Sequence, residues 1–191
     1  YVIGGIYPAA GGDNSAIVIK SAHLMEVVFN QKLQNTMDLV SRVVDINREH
    51  RVDFWVVDKT GVGQGVYDRM KEMDYPIRGV SFGEKSEDSQ YANLKAEWHF
   101  KLRKWIVSGG KLKQDYGWNE LEVVRYKHKD SKIIIQPKED LLRDGILSPN
   151  VVDAAVLTMV MEDNAIRSAR VIKQRYGREF YDHTKTIWDG R

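Results

Sequence analysis

Hydrophobic and polar positions along this chain change period several times, and each change predicts an element. Residues 1–7, YVIGGIY, read as a short apolar strand. The run PAAGGDNS after it is a turn, since Gly11, Gly12, Asp13 and Asn14 are all turn formers. Residues 16–20 and 23–30 read as two more strands, antiparallel to their neighbours because the connections are too short for crossover helices. From 31 to 50 the period becomes helical, with Leu33, Met37, Val40 and Val44 on one face. A buried strand follows over 52–57, where Phe54, Trp55, Val56 and Val57 are consecutive and the run ends abruptly in Asp58. The segment KTGVGQG turns it into a helix with Val62, Val66, Met70 and Met73 on one side, and another strand is expected at 77–81. Three hairpin-linked strands followed by strand–helix units predict a mixed sheet with helices on its faces, the 52–57 and 77–81 strands parallel to the first.

The polar loop FGEKSEDSQ precedes the most regular helical pattern, 91–107, whose stripe is Tyr91, Leu94, Trp98, Leu102 and Trp105. Lys95, Lys101, Arg103 and Lys104 fall on its other faces. A two-stranded ribbon is expected over 120–126 and 132–136, joined by the charged turn KHKDS. After the break at 145–149, a helix over 150–161 is apolar nearly all round, with Asp153 the one charge in its first turns. Residues 162–191 read as a C-terminal helix and tail.

Composition narrows the chemistry. A length of 191 residues fits one domain with a sizeable core. The chain has no cysteine, which excludes thiolate metal sites and thiol catalysis. A formal net charge of +2 is too small to imply a polyanionic partner, so any contact with nucleic acid rests on local clusters. No apolar run approaches the roughly 20 residues of a membrane span. Because the first residues already read as a core strand, an excised domain lacking its upstream part is expected.

Two acids stand in improbable settings. Asp58 ends a buried strand, where open α/β sheets place ligands and chemistry. Asp153 opens a helix that should be buried, and an unpaired buried carboxylate costs several kcal/mol, order of magnitude, unless a cation or several donors receive it. Each has a plainer reading, a solvated strand end for Asp58 and a first-turn residue satisfied by its own backbone for Asp153. The ribbon presents Arg125, Lys127, His128, Lys129 and Lys132, which fits either a solvated hairpin or an arm touching phosphates. Nothing resembles a base-reading recognition helix.

The ordered motifs PAAGGDNSAIVI, VVDKTGVGQGVYDRM, VSFGEKS, YANLKAEWHFKLRKWI and KEDLLRDGILSPNVVDAAVLT resemble the C-terminal nuclease domain of phage terminase large subunits, over about the first 160 residues. The resemblance implies an RNase H-like fold, here a mixed five-stranded sheet flanked by helices with an added β-hairpin. It implies an endonuclease that uses two Mg²⁺ or Mn²⁺ ions to cut concatemeric double-stranded viral DNA during packaging. The implied partners are an N-terminal ATPase domain of the same polypeptide, a small terminase subunit and the portal protein, in the host cell cytoplasm, with no membrane. A transposase core or junction resolvase would use similar acids but would not pair VGQG with SPN-x-x-DA. A DNA-gripping module without cleavage is the non-enzymatic alternative.

Site residues follow from the resemblance. The acid after the fourth strand matches Asp58, the bridging metal ligand, and the second acid of the SPD-x-x-DA motif matches Asp153. The first acid of that motif falls at Asn150, which orients a water or stands behind the metal. The first strand of the family ends in Asp, and here that position is Tyr7, a phenol that is neutral at its reference pKa of about 10. One core metal ligand is therefore missing, and impaired cleavage is expected unless Asp13 substitutes. Glu84 and Asp88 lie in a loop within reach of the same edge, though loop acids are common, and Lys138 reads either as a contact to a phosphate near the metals or as a plain surface lysine.

Overall fold

In the computed structural model the described residues are 1–9 and 11–160, so the helix and tail expected over 162–191 lie outside them. Three antiparallel strands open the chain: β1 (Ile3–Tyr7), β2 (Ser15–Lys20) and β3 (Leu24–Gln31). Helix α1 (Thr36–His50) starts later than its apolar period predicts. Gln31 still belongs to β3, and the Asn35 side chain accepts the Met37 N–H at 2.8 Å, fixing the cap there. Strand β4 (Phe54–Asp58) then runs parallel to β1, and after α2 (Gly63–Glu72) comes β5 (Ile77–Val80), parallel to β4.

Among the described residues the sheet has six strands rather than five, in the order β5-β4-β1-β2-β3-β6. The addition is β6 (Lys111–Leu112), parallel to the start of β3, and two residues are too few to show a strand period. Alternation along the strands sorts their side chains onto two faces. Ile6, Ile17, Ile19, Trp55 and Val57 pack with Leu39 and Val43 of α1 and with Val66 and Met70 of α2. The polar end of Trp55 is satisfied there, its Nε1 donating to Asn47 Oδ1 at 3.0 Å.

The opposite face is covered by α5 (Asn150–Leu157), every residue of which is buried. This helix is shorter than the expected 150–161, because from Thr158 to Val160 the N–H groups donate three residues back instead of four, as Thr158 N does to Ala155 O at 3.1 Å. Beside it lies α3 (Leu94–Val107), capped by Asn93, whose side chain accepts from Ala96 N at 3.0 Å. That cap leaves Tyr91 outside the helix, bridged to Ile133. Leu94, Trp98 and Leu102 form the buried stripe.

The expected ribbon is displaced. Residues 116–122 form a 3-10 helix (Tyr116–Glu122), nucleated by Asp115, whose carboxylate accepts the Gly117 N–H at 2.7 Å. The hairpin is β7 (Tyr126–Lys129) with β8 (Lys132–Ile135), closed by Asp130 and Ser131 at φ 50° and 63°. Positive φ at both central residues is what a tight two-residue hairpin turn requires. The short helix α4 (Lys138–Arg143), not anticipated from the sequence, follows Pro137.

Contact between α5 and β1 depends on a missing side chain. A Cβ at Gly5 would lie 2.0 Å from the Ala154 carbonyl oxygen, whereas one at Gly65 meets nothing within 4 Å. Gly5→Ala is therefore expected to destabilise by about 1–3 kcal/mol. Gly65→Ala, in the body of α2, should stabilise by roughly 0.5–1 kcal/mol. Urea unfolding of the two variants checks both signs.

Candidate active site at the strand ends

Strands β1 and β4 lie side by side and parallel, with Ile6 opposite Val57. Tyr7 and Asp58 come one residue later, so they emerge together at the carboxyl edge on the face covered by α5. Asp58 is nearly buried and accepts the Thr60 N–H at 3.0 Å. The glycines of KTGVGQG allow α2 to start tight against this strand end. A Cβ at Gly63 would fall 1.8 Å from the Asp58 carbonyl oxygen, and Gly61 has φ +60°. Across the edge, α5 brings Asp153, which is 0% exposed, into the same electrostatic environment.

Two lysines meet at Asp153. Lys138 Nζ lies 3.1 Å from its Oδ2 and Lys95 Nζ 3.1 Å from its Oδ1. Lys138 also donates to the Tyr7 hydroxyl at 2.7 Å and to Asn150 Oδ1 at 2.9 Å, tying β1 to α5. The Tyr7 ring stacks on Phe82 at 6.3 Å between centroids. Burial pushes the Tyr7 phenol upward, the negative charge of Asp153 adds to this, and the group stays neutral. Burial alone would raise Asp153, but Lys95 and Lys138 beside it win and hold it below the usual carboxylate range. Asp58 is raised, first by burial and further by the Asp153 charge, against the opposing bonds from Thr60.

Of the other residues singled out in the sequence, Asn150 and Lys138 join this cluster and the rest do not. Asp13 lies in the β1–β2 turn, where its charge contributes least among the causes raising Tyr7. Glu84 accepts the Ser81 N–H at 2.8 Å and Asp88 the Gln90 N–H at 2.9 Å, so both carboxylates hold their own loop. Lys127, Lys129 and Lys132 stand on the hairpin, with Lys129 opposite Lys132 and Lys127 opposite Ile134. Lys127 is also 3.5 Å from Asp140. Arg125 precedes the hairpin and donates to the carbonyls of Glu122 and Val124.

Three participants were not assigned to the site from sequence. Lys95 looked like one of several surface cations of α3, yet it points inward at Asp153. His99, one turn on, is nearly buried, with Nδ1 2.7 Å from the Lys95 carbonyl. A carbonyl only accepts, so Nδ1 carries the proton, and Nε2 faces Asp153 Oδ1 at 4.0 Å as a second acceptor. Burial lowers His99 to about 4, so it is neutral at pH 7. Glu120 Oε2 accepts the N–H groups of Val151 and Val152 at 2.7 and 3.1 Å, capping the helix that carries Asp153. The spacing of acids and amides in a sequence shows such a cap only within one helix, and this one crosses between elements.

No protein-family model matches this sequence. No curated protein matches it either. Solved structures do. The nuclease domain of the large terminase subunit gp2 of bacterial virus Sf6 is similar with a TM-score of 0.68 at 18% identity, over 84% of this chain and 88% of that one. A mutant of the same domain with manganese gives 0.68 at 16% identity, with coverages of 84% and 88%. The large terminase nuclease from thermophilic phage G20c with bound magnesium gives 0.59 at 14% identity, over 83% and 79%. The fold is that of the phage terminase nuclease domain.

Within that terminase nuclease fold, the side chains present do not fit a pair of divalent ions. Such ions are held by several anionic oxygens. Here the edge offers two carboxylates and a neutral phenol, and the two ammonium groups already balance the two carboxylate charges. Among the described residues no group of three or more His, Asp or Glu side chains is arranged to hold a metal ion.

Glu120 gives the site a measurable signature. Its carboxyl is raised from 4.5 to about 7, chiefly by burial, so folding favours its protonated form. The associated stability is fully present below pH 4.5 and is lost as pH rises to about 7. In Glu120→Gln the Oε1 still accepts from α5, and the fall in urea midpoint across that window should flatten.

Proposed function

We propose that this chain is a terminase-type nuclease domain that engages double-stranded viral DNA in a packaging motor, with cleavage impaired by Tyr7. The observation that carries this reading is the end of β1: Tyr7 lies beside Asp58 and is joined through Lys138 to Asp153. A carboxylate at position 7 would add a third anion, turning a balanced cluster into one with an excess of negative charge that attracts divalent cations. The DNA-gripping alternative gains support from the same lysine-filled edge. In this reading the partners are an ATPase domain of the same polypeptide, a small terminase subunit and a portal protein, in the host cytoplasm.

DNA contact is assigned to the hairpin lysines. Lys127 and Lys129 alternate with Tyr126 and His128, so the lysines share one face of β7 while the rings share the other. The ring face is turned toward α3, where the partly exposed Tyr126 meets Phe100 edge-on at 5.2 Å. Exposed ammonium groups on the outward face suit phosphates and carry no sequence information.

Plasmid nicking with Mn²⁺ tests the chemistry. The chain as it stands should nick slowly or not at all, and Tyr7→Asp should raise the rate and tighten Mn²⁺ binding by about tenfold or more. Adding Asp58→Ala or Asp153→Ala to that variant should abolish cutting. Equal, metal-dependent nicking by the parent and Tyr7→Asp would shift the third ligand to Asp13 and overturn the assignment of Tyr7.

Duplex binding as a function of salt tests the hairpin. Replacing Lys127, Lys129 and Lys132 together by Ala should weaken all sequences alike and reduce the salt slope by about 2–3, since each phosphate contact contributes about 0.9. An unchanged slope and affinity would assign DNA binding elsewhere.

A further inference from the structure

Between α3, the 3-10 helix and the hairpin lies a cavity of about 340 Å³, whose wall includes His99, the residue that also faces Asp153 of the strand-end cluster. Its volume lies in the range of sites that accept a small ligand or a large side chain. Leu102, Leu121 and Val152 are among its apolar walls, with the Phe100 and Tyr126 rings set edge to face beside them. Its borders include exposed apolar surface, Val107 at 74% and Tyr126 at 57%. Single exposed apolar residues are ordinary on a protein surface, and here the two extend the apolar lining of a cavity out to the solvent.

Charge decides what kind of partner fits. Arg103 and Arg125 line the cavity, and no carboxylate lines it among the described residues. Arg103 is exposed and makes no ion pair among the described residues, and Arg125 is held in place by the Glu122 and Val124 carbonyls. The planar fork of a guanidinium is matched to carboxylates or phosphates. A nucleotide would satisfy the arginines but would bury the polar edge of its base against walls made mostly of apolar side chains, which costs free energy. A large apolar protein side chain has no such edge.

We propose that this cavity is a docking site for an acidic protein segment that inserts one large apolar side chain, with flanking carboxylates on Arg103 and Arg125. An apolar anchor in a pocket with charged flanks is the arrangement that concentrates binding energy at protein interfaces. The site is independent of the proposed DNA contact, because Lys127 and Lys129 project from the other face of the hairpin. Both surfaces can therefore be occupied together.

Amide NMR titration of the full chain tests this with three probes: the blocked peptide Glu-Asp-Trp-Leu-Asp-Glu, its Lys-Arg-Trp-Leu-Arg-Lys counterpart, and deoxyadenosine monophosphate. The acidic peptide should shift the amides of Phe100, Leu121 and Val124, and the basic one should bind about tenfold more weakly or worse. Arg103→Glu, at an exposed position, should weaken the acidic peptide by about tenfold, and Leu121→Trp, which fills the cavity, should remove binding. Lys127→Ala with Lys129→Ala should leave it unchanged. The proposal is overturned if the acidic peptide leaves those amides in place, if both peptides bind alike, if Arg103→Glu has no effect, or if the nucleotide shifts the same amides more strongly.

Discussion

The buried charge of Asp153 is the constraint around which this molecule is arranged. A carboxylate with no exposure, on a helix whose every residue is buried, is tolerable only if cations come to it. Lys95 arrives from α3 and Lys138 from the start of α4, so one charge fixes where two further elements end up. Removing one partner of such a cluster leaves a buried charge unpaired, and that penalty exceeds any gain from an isolated surface ion pair. Backbone packing supports the same arrangement from the other side, since Gly5 lets α5 rest directly on the sheet.

Tyr7 joins this cluster as a neutral hydrogen-bond partner of Lys138 rather than as a further charge. Its hydroxyl accepts from Lys138, its ring lies 4.2 Å beneath the same ammonium, and its phenol remains neutral. The lysine thereby gains a hydrogen bond and a cation–π contact in addition to its ion pair. The consequence is structural as much as chemical: β1, α4 and α5 are joined through one side chain. The terminase nuclease fold closes here around an edge where a neutral phenol stands beside paired carboxylate and ammonium groups.

The hairpin shows how a period of two separates tasks on one ribbon. One face continues a row of ring contacts, from Tyr91 through Phe100 of α3 to Tyr126 and His128, with neighbouring centroids 5.4, 5.2 and 6.1 Å apart. The other face carries lysines. A slip of one residue in register would exchange these faces, and the tight turn at Asp130 and Ser131 prevents it.

The amino-acid order by itself determined the antiparallel opening of the sheet, the parallel β4 and β5, and the prominence of Asp58 and Asp153. Each rests on local patterning, whether a hairpin too short to cross over, an uninterrupted apolar run, or one charge in an apolar helix. Tertiary structure alone decided which lysine of α3 turns inward, that Lys138 reaches Tyr7, and that Glu120 caps α5 from 31 residues away. Local sequence is silent on these contacts because they join elements distant along the chain, and only the packed sheet and helices bring their ends together. The displaced ribbon and the unforeseen β6 have a related cause. Short segments lack the repeats that make a period visible, so their shape is set by a cap at Asp115 and by an open edge at β3.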